Sequence, residues 1–158
     1  MKTLSDVFEH TLKDVYYAEN AILKALPNVI ESAGNAGLKD ALKEHLSETK
    51  TQVATLKKVF KSIGAEAKGE KCDAIEGLIK ECEGVIDEAK GAVARNAGII
   101  GCCQAIEHYE ISRYGTLREW AKALGHDEAH QMLGDILDQE KAANNKLTAL
   151  AVESVNKA

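Results

Sequence analysis

The chain has 158 residues, 45% hydrophobic and only 4% aromatic, with one proline: enough for a single domain with a sizeable core, built of helix formers rather than strand formers. Its net charge of −5 and pI near 5.6 argue against the positive field that nucleic acid or an anionic membrane surface attracts. There is no apolar run of roughly 18 residues to span a membrane, and Met1-Lys2-Thr3-Leu4-Ser5-Asp6 lacks the apolar core of a signal peptide, so a cytoplasmic, all-α protein with one domain over residues 1–158 is expected.

Thr3 or Ser5 can cap the first predicted helix, whose inward line reads Phe8, Leu12, Val15, Glu19, Ile22, Leu26, Val29 and ends near Ala33-Gly34. Glu19 interrupts this apolar line midway. Pro27 removes one backbone hydrogen bond, so one bent helix is expected, with a break at Pro27 as the alternative. The second helix starts at Gly37-Leu38 and presents Leu38, Ala41, His45, Glu48, Gln52, Leu56, Val59 and Ile63 before Gly64 closes it.

From Ile63 to the next long helix runs a connection of about 26 residues, far above the two to eight usual between antiparallel neighbours. It must cross the molecule, and the helical period from Cys72 to Ile86 predicts a short helix within it. The third long helix, Lys90 to Leu124, presents Val93, Asn96, Ile100, Cys103, Glu107, Glu110, Tyr114, Leu117, Ala121 and Leu124; Gly91, Gly98 and Gly101 offer places for a close neighbour, and Gly125 stops it. The last helix begins at Gly125-His126-Asp127-Glu128 and turns Leu133, Ile136, Glu140, Asn144, Leu147 and Ala151 inward. Cys72, Cys82, Cys102 and Cys103 contain no Cys-x-x-Cys pair and are expected as reduced thiols, with Cys103 as core filler.

All four long helices carry an acid near mid-height: Glu19, Glu48, Glu107 and Glu140, with Glu110 one turn beyond Glu107. Buried carboxylates gathered together repel and are costly to desolvate, and the inward lines hold no Lys or Arg to neutralise them. Two divalent cations would cancel four such charges, and a helix bundle is where facing carboxylates bind two metals. His45 shares a face with Glu48 and either ligates an ion or supports a ligand by a hydrogen bond. Gln52 and Asn144 fit supporting amides, His108 points elsewhere, and His126 with His130 forms at most an adventitious surface site.

With these residues in hand, the chain resembles the ferritin-like superfamily and, nearly end to end, the YciF-type stress-protein family. The carrying stretches are Asp14-Val15-Tyr16-Tyr17-Ala18-Glu19, His45-Leu46-Ser47-Glu48-Thr49, Glu76-Gly77-Leu78-Ile79, Glu107-His108-Tyr109-Glu110-Ile111 with Tyr114-Gly115-Thr116-Leu117, and Glu140-Lys141-Ala142. The resemblance implies a ferritin-like up-down four-helix bundle with a long crossover carrying a short extra helix. It also implies a di-metal carboxylate centre on Glu19, Glu48, Glu107 and Glu140, with Glu110 as an extra acid. The usual Glu-x-x-His pairs are absent, since Thr51 and Ala143 stand where histidines would and His45 precedes its Glu.

The expected protein binds two divalent ions, iron foremost and manganese as the alternative, and reacts Fe(II) with oxygen or peroxide. Glu48 and Glu140 bridge, Glu19, Glu107 and Glu110 are terminal, and His45 ligates or supports. Tyr16, Tyr17, Tyr109 and Tyr114 are candidate redox neighbours, with ordinary packing the plainer role. A homodimer without nucleic-acid or membrane partners is expected. The alternatives are a non-enzymatic dimeric stress or structural protein that binds metal incidentally, and a cage-forming mini-ferritin.

Overall fold

The structure is a computed structural model and describes residues 1–157. Helix α1 spans Leu4–Ser32, α2 Ala36–Ser62, α3 Asp73–Glu88, α4 Ala92–Ala123 and α5 Asp127–Leu150, after which the chain makes one wide π-helical turn, Ala151–Val155. Of the two candidate caps, Thr3 starts α1: its hydroxyl accepts from the Asp6 amide at 3.1 Å, and the Asp6 carboxylate accepts from the Thr3 amide at 3.1 Å. Asn35 caps α2 through the Leu38 amide at 2.9 Å, so this helix begins just ahead of its expected start. Gly64 and Gly125, with φ of 72° and 75°, turn the chain after α2 and α4 in a conformation that a side chain would strain.

Pro27 lies inside a continuous α1, and the alternative of a break there is not realised. Proline forfeits one hydrogen bond, while Leu26 and Val29 on either side stay buried and hold the helix in the core.

Four helices close a ring in which α1 packs on α2, α2 on α5, α5 on α4 and α4 on α1. Gly34, at the end of α1, donates its amide to Asn96 near the start of α4 at 2.7 Å. At the opposite end Phe8 stacks on His126, centroids 5.9 Å apart. The crossover thus climbs the length of the bundle, and every neighbour in the ring is antiparallel, as a bundle with one long connection requires. Helix α3 lies outside the ring against α1 and α4.

The core is split. One apolar cluster gathers Ile22, Leu26, Leu38, Leu42, Ile75, Ile99 and Leu147; the other gathers Phe8, Leu12, Leu56, Phe60, Leu117, Leu133 and Ile136. The acids of α1, α4 and α5 fall in the layer between them. Val93 is 50% exposed, so the inward line of α4 begins at Asn96, one turn into the helix. Of the glycines expected to admit a close neighbour, Gly98 does so: a Cβ there would meet Val85 Cγ1 at 2.5 Å, whereas Gly91 and Gly101 face open space.

Candidate metal centre

Glu19 follows Val15 by one turn on α1, Glu107 and Glu110 sit between Cys103 and Tyr114 on α4, and Glu140 lies between Ile136 and Leu147 on α5. Because each belongs to an apolar stripe, packing of the stripes carries the acid inside with its neighbours. Their relative exposures are 1%, 1%, 2% and 0%. Carboxylate oxygens of Glu19, Glu110 and Glu140 lie within 4.8 Å of one another, and so do ligand atoms of His45, Glu107 and Glu110. Glu110 is common to both groups, and the two groups together draw on all four helices of the ring.

Few partners are at hand. Tyr114, fully buried, donates its hydroxyl to Glu19 Oε1. Gln52 Nε2 donates to Glu140 Oε1 at 2.5 Å. The His45 Nε2 atom lies 3.4 Å from Glu107 Oε1. Among the described residues, no Lys or Arg forms a salt bridge with Glu19, Glu107, Glu110 or Glu140. Glu19 Oε2, Glu107 Oε2, both oxygens of Glu110, Glu140 Oε2, Gln52 Oε1 and His45 Nδ1 are buried without a hydrogen-bond partner.

The protonation of the cluster follows from this crowding. Burial, and then the charge of Glu140, raises Glu19 to about 8 against the bond from Tyr114. Burial pushes Glu107 up to about 11, aided by the proton it shares with Glu140. Glu110 is pushed well up by burial and then by the charges of Glu19, Glu140 and Glu107. Burial also raises Glu140, opposed by its hydrogen bonds to Glu107 and Gln52. With only protons to neutralise them, Glu107 and Glu110 stay uncharged at neutral pH. Burial lowers His45 to about 4, so its contact with Glu107 joins a neutral imidazole to a carboxyl group and is no ion pair.

The remaining candidates stand outside the two close groups, although the charge of Glu48 still raises Glu107 and Glu140. Glu48 is only partly buried, belongs to neither close group, and lines a pocket between α2 and α5. Asn144 accepts from Gln104 at 3.2 Å and does not face the acids. Tyr17 donates to Glu76, outside the cluster, at 2.7 Å, Tyr109 meets Cys72 Sγ at 3.0 Å and Tyr16 packs edge-on against Phe60, whereas Tyr114 bonds one of the clustered acids, Glu19. His108 and His130 are tied to the backbone carbonyls of Gln104 and Arg118. All four cysteines are free thiols.

The donor types suit divalent cations of the iron and manganese kind, for which carboxylates with one imidazole are ordinary ligands. The seven unpartnered buried atoms are the structural sign of the fit, since buried polar groups are otherwise almost always bonded.

Comparison with known proteins agrees with this architecture. The chain is 41% identical to protein YciF of Escherichia coli (strain K12) over 99% of its length and 95% of that protein. It superposes on the crystal structure of that E. coli stress protein with a TM-score of 0.95, covering 100% of both chains. YcfI from Rhodopseudomonas palustris, described as a candidate structural protein, is 47% identical with a TM-score of 0.91 over 93% of this chain and 94% of that one. A Xanthomonas campestris protein shares the fold at 20% identity, with a TM-score of 0.76 over 98% and 94% of the two chains. Residues 3–158 match the family described as a domain of unknown function, DUF892, and the chain belongs to that family.

Proposed function

We propose that the protein is a di-metal carboxylate protein of the stress response that takes two divalent cations between its helices, iron foremost and manganese as the alternative, and reacts Fe(II) with oxygen or peroxide. One observation carries this reading. Buried carboxylate oxygens from α1, α4 and α5 converge with an imidazole from α2, and most of them have no partner. Without cations the layer must hold protons or bear repulsion, and both destabilise it.

Glu19, Glu110 and Glu140 would hold one cation and His45, Glu107 and Glu110 the other. Iron held this way supplies one-electron chemistry toward oxygen or peroxide. The chain's own contribution is orientation: Tyr114 fixes Glu19, Gln52 fixes Glu140, and the neutral His45 presents a lone pair without first losing a proton. Glu107 and Glu110 give up their protons to solvent on loading. The apolar clusters on either side keep bulk water from the layer.

Metal analysis after purification without chelator tests the site directly; about two ions per fully loaded chain are expected from the two-metal arrangement of facing carboxylates. Anaerobic loading with Fe(II), followed by oxygen or peroxide under optical recording, tests the chemistry. A second reading, a non-enzymatic dimeric structural protein that binds metal incidentally, draws support from the description of the R. palustris relative. Stoichiometric binding with oxidation no faster than that of free Fe(II) would favour it.

A further inference from the structure

We propose that the pocket between α2 and α5 is the port through which divalent cations reach the buried carboxylates, with Glu44 and Glu48 passing them inward and Lys146 restraining their rate. This rests on the di-metal reading above. The pocket holds about 80 Å³ and is lined by Glu44, His45, Glu48, Glu107, Ala143 and Lys146 among others. Two of its lining residues, His45 and Glu107, belong to the candidate site, and each keeps a buried atom without a partner, His45 Nδ1 and Glu107 Oε2. Its mouth is charged and wet, with Glu44 and Lys146 side chains 56% and 49% exposed and paired with each other. A water molecule needs roughly 10–15 Å³ of such space, so an ion that keeps part of its hydration shell can be accommodated.

The wall on α5 explains why the space exists. Along that helix the inward stripe runs Ile136, Glu140, Leu147, and the turn between Glu140 and Leu147 offers Ala143 where a leucine would fill the gap. The two apolar clusters lie on either side of the layer, and the fully buried Tyr114 covers Glu19. Two other pockets, against α3, are lined by none of the four buried acids. Glu48, which stands outside both close groups, then has a place on the route as a partly hydrated carboxylate between solvent and Glu107. Two carboxylates at the mouth draw cations in, and the Lys146 ammonium offsets one of them, so removing it should quicken uptake.

The test is stopped-flow uptake of Co(II) by the metal-free full chain, followed by its absorption, with the final stoichiometry measured separately. A143L should slow uptake by about tenfold or more, and K146Q should speed it by about two- to fivefold at low salt, an advantage that fades as salt screens the mouth. Final stoichiometry should be unchanged in both. E44Q, also at the mouth, should slow uptake modestly and serves with K146Q if A143L does not fold. Variants that load at the wild-type rate to the wild-type stoichiometry overturn the port while leaving the site intact. Wild-type protein that takes up no Co(II) overturns the di-metal reading itself, and the port with it.

Discussion

The Tyr114 hydroxyl donates to Glu19 in a place where both side chains are buried. Replacing Tyr114 with Phe keeps the ring and its packing but strips a partner from a buried carboxylate, which should cost about 1–3 kcal/mol in the metal-free protein. Urea denaturation measures it, and an unchanged midpoint would mean that Glu19 is satisfied without the phenol. Glu107 calls for the opposite sign. Its carboxyl holds a proton against Glu140 in the folded chain and would be ionised in the unfolded one. A glutamine there donates the same hydrogen bond with no proton to retain, so E107Q should stabilise the metal-free protein at pH 8 by about 1–4 kcal/mol while metal affinity falls. The variant E107Q/E140Q should show both effects at least as strongly. A lower melting temperature together with normal metal uptake would show that these acids are not gathered inside.

Helix α4 carries the contrast that best tests the packing of the crossover. Alanine is about 1 kcal/mol better than glycine inside a helix. At Gly101, where a Cβ meets nothing within 4 Å, that gain should appear as a higher melting temperature. At Gly98 the same methyl would meet Val85 Cγ1 at 2.5 Å, and a β-branched side chain yields little, so G98A should push α3 outward and lose about 1–3 kcal/mol net. Equal shifts in the two variants would mean that α3 is not seated as described. The sequence carried the stripes that bury Glu19, Glu107, Glu110 and Glu140, because long apolar runs at steps of three and four leave little freedom of phase. It was silent on which glycine meets a neighbour, since that depends on where α3 docks. It drew Glu48 on the inward line of α2, whereas the buried face of that helix carries Leu42, Thr49, Gln52, Val53 and Leu56, which brings His45 to the acids and leaves Glu48 half-buried at its edge. A stripe with polar residues in its middle does not reveal its own centre.

For the whole molecule, the layer of acids between two apolar clusters makes stability depend on pH and on metal in opposite ways. A carboxyl whose folded pKa is raised holds its proton in the native chain over a range where the unfolded chain has released it. The unfolded state then binds fewer protons, and stability falls as pH rises, by about 1.4 kcal/mol per pH unit for each such group. For Glu19 the window runs from the ordinary 4.5 to about 8, and for Glu107 from 4.5 to about 11. His45 acts in the other direction, since its pKa drops from 6.5 to about 4 and stability is lost as pH falls through that interval; one imidazole is outweighed by the carboxyls. Metal-free protein in chelator should therefore melt at a higher temperature at pH 5 than at pH 8. In the loaded protein, cations take the place of the protons, their affinity grows as the acids ionise more easily, and binding to the native state alone stabilises it. The metal-induced rise in melting temperature should then be small at pH 5 and large at pH 8. Thermal scans across this range with chelator and with Mn(II) measure both curves. If the chelated protein is more stable at pH 8 than at pH 5, the carboxyls are ionised and hydrated in the native state, and the buried layer is not as described.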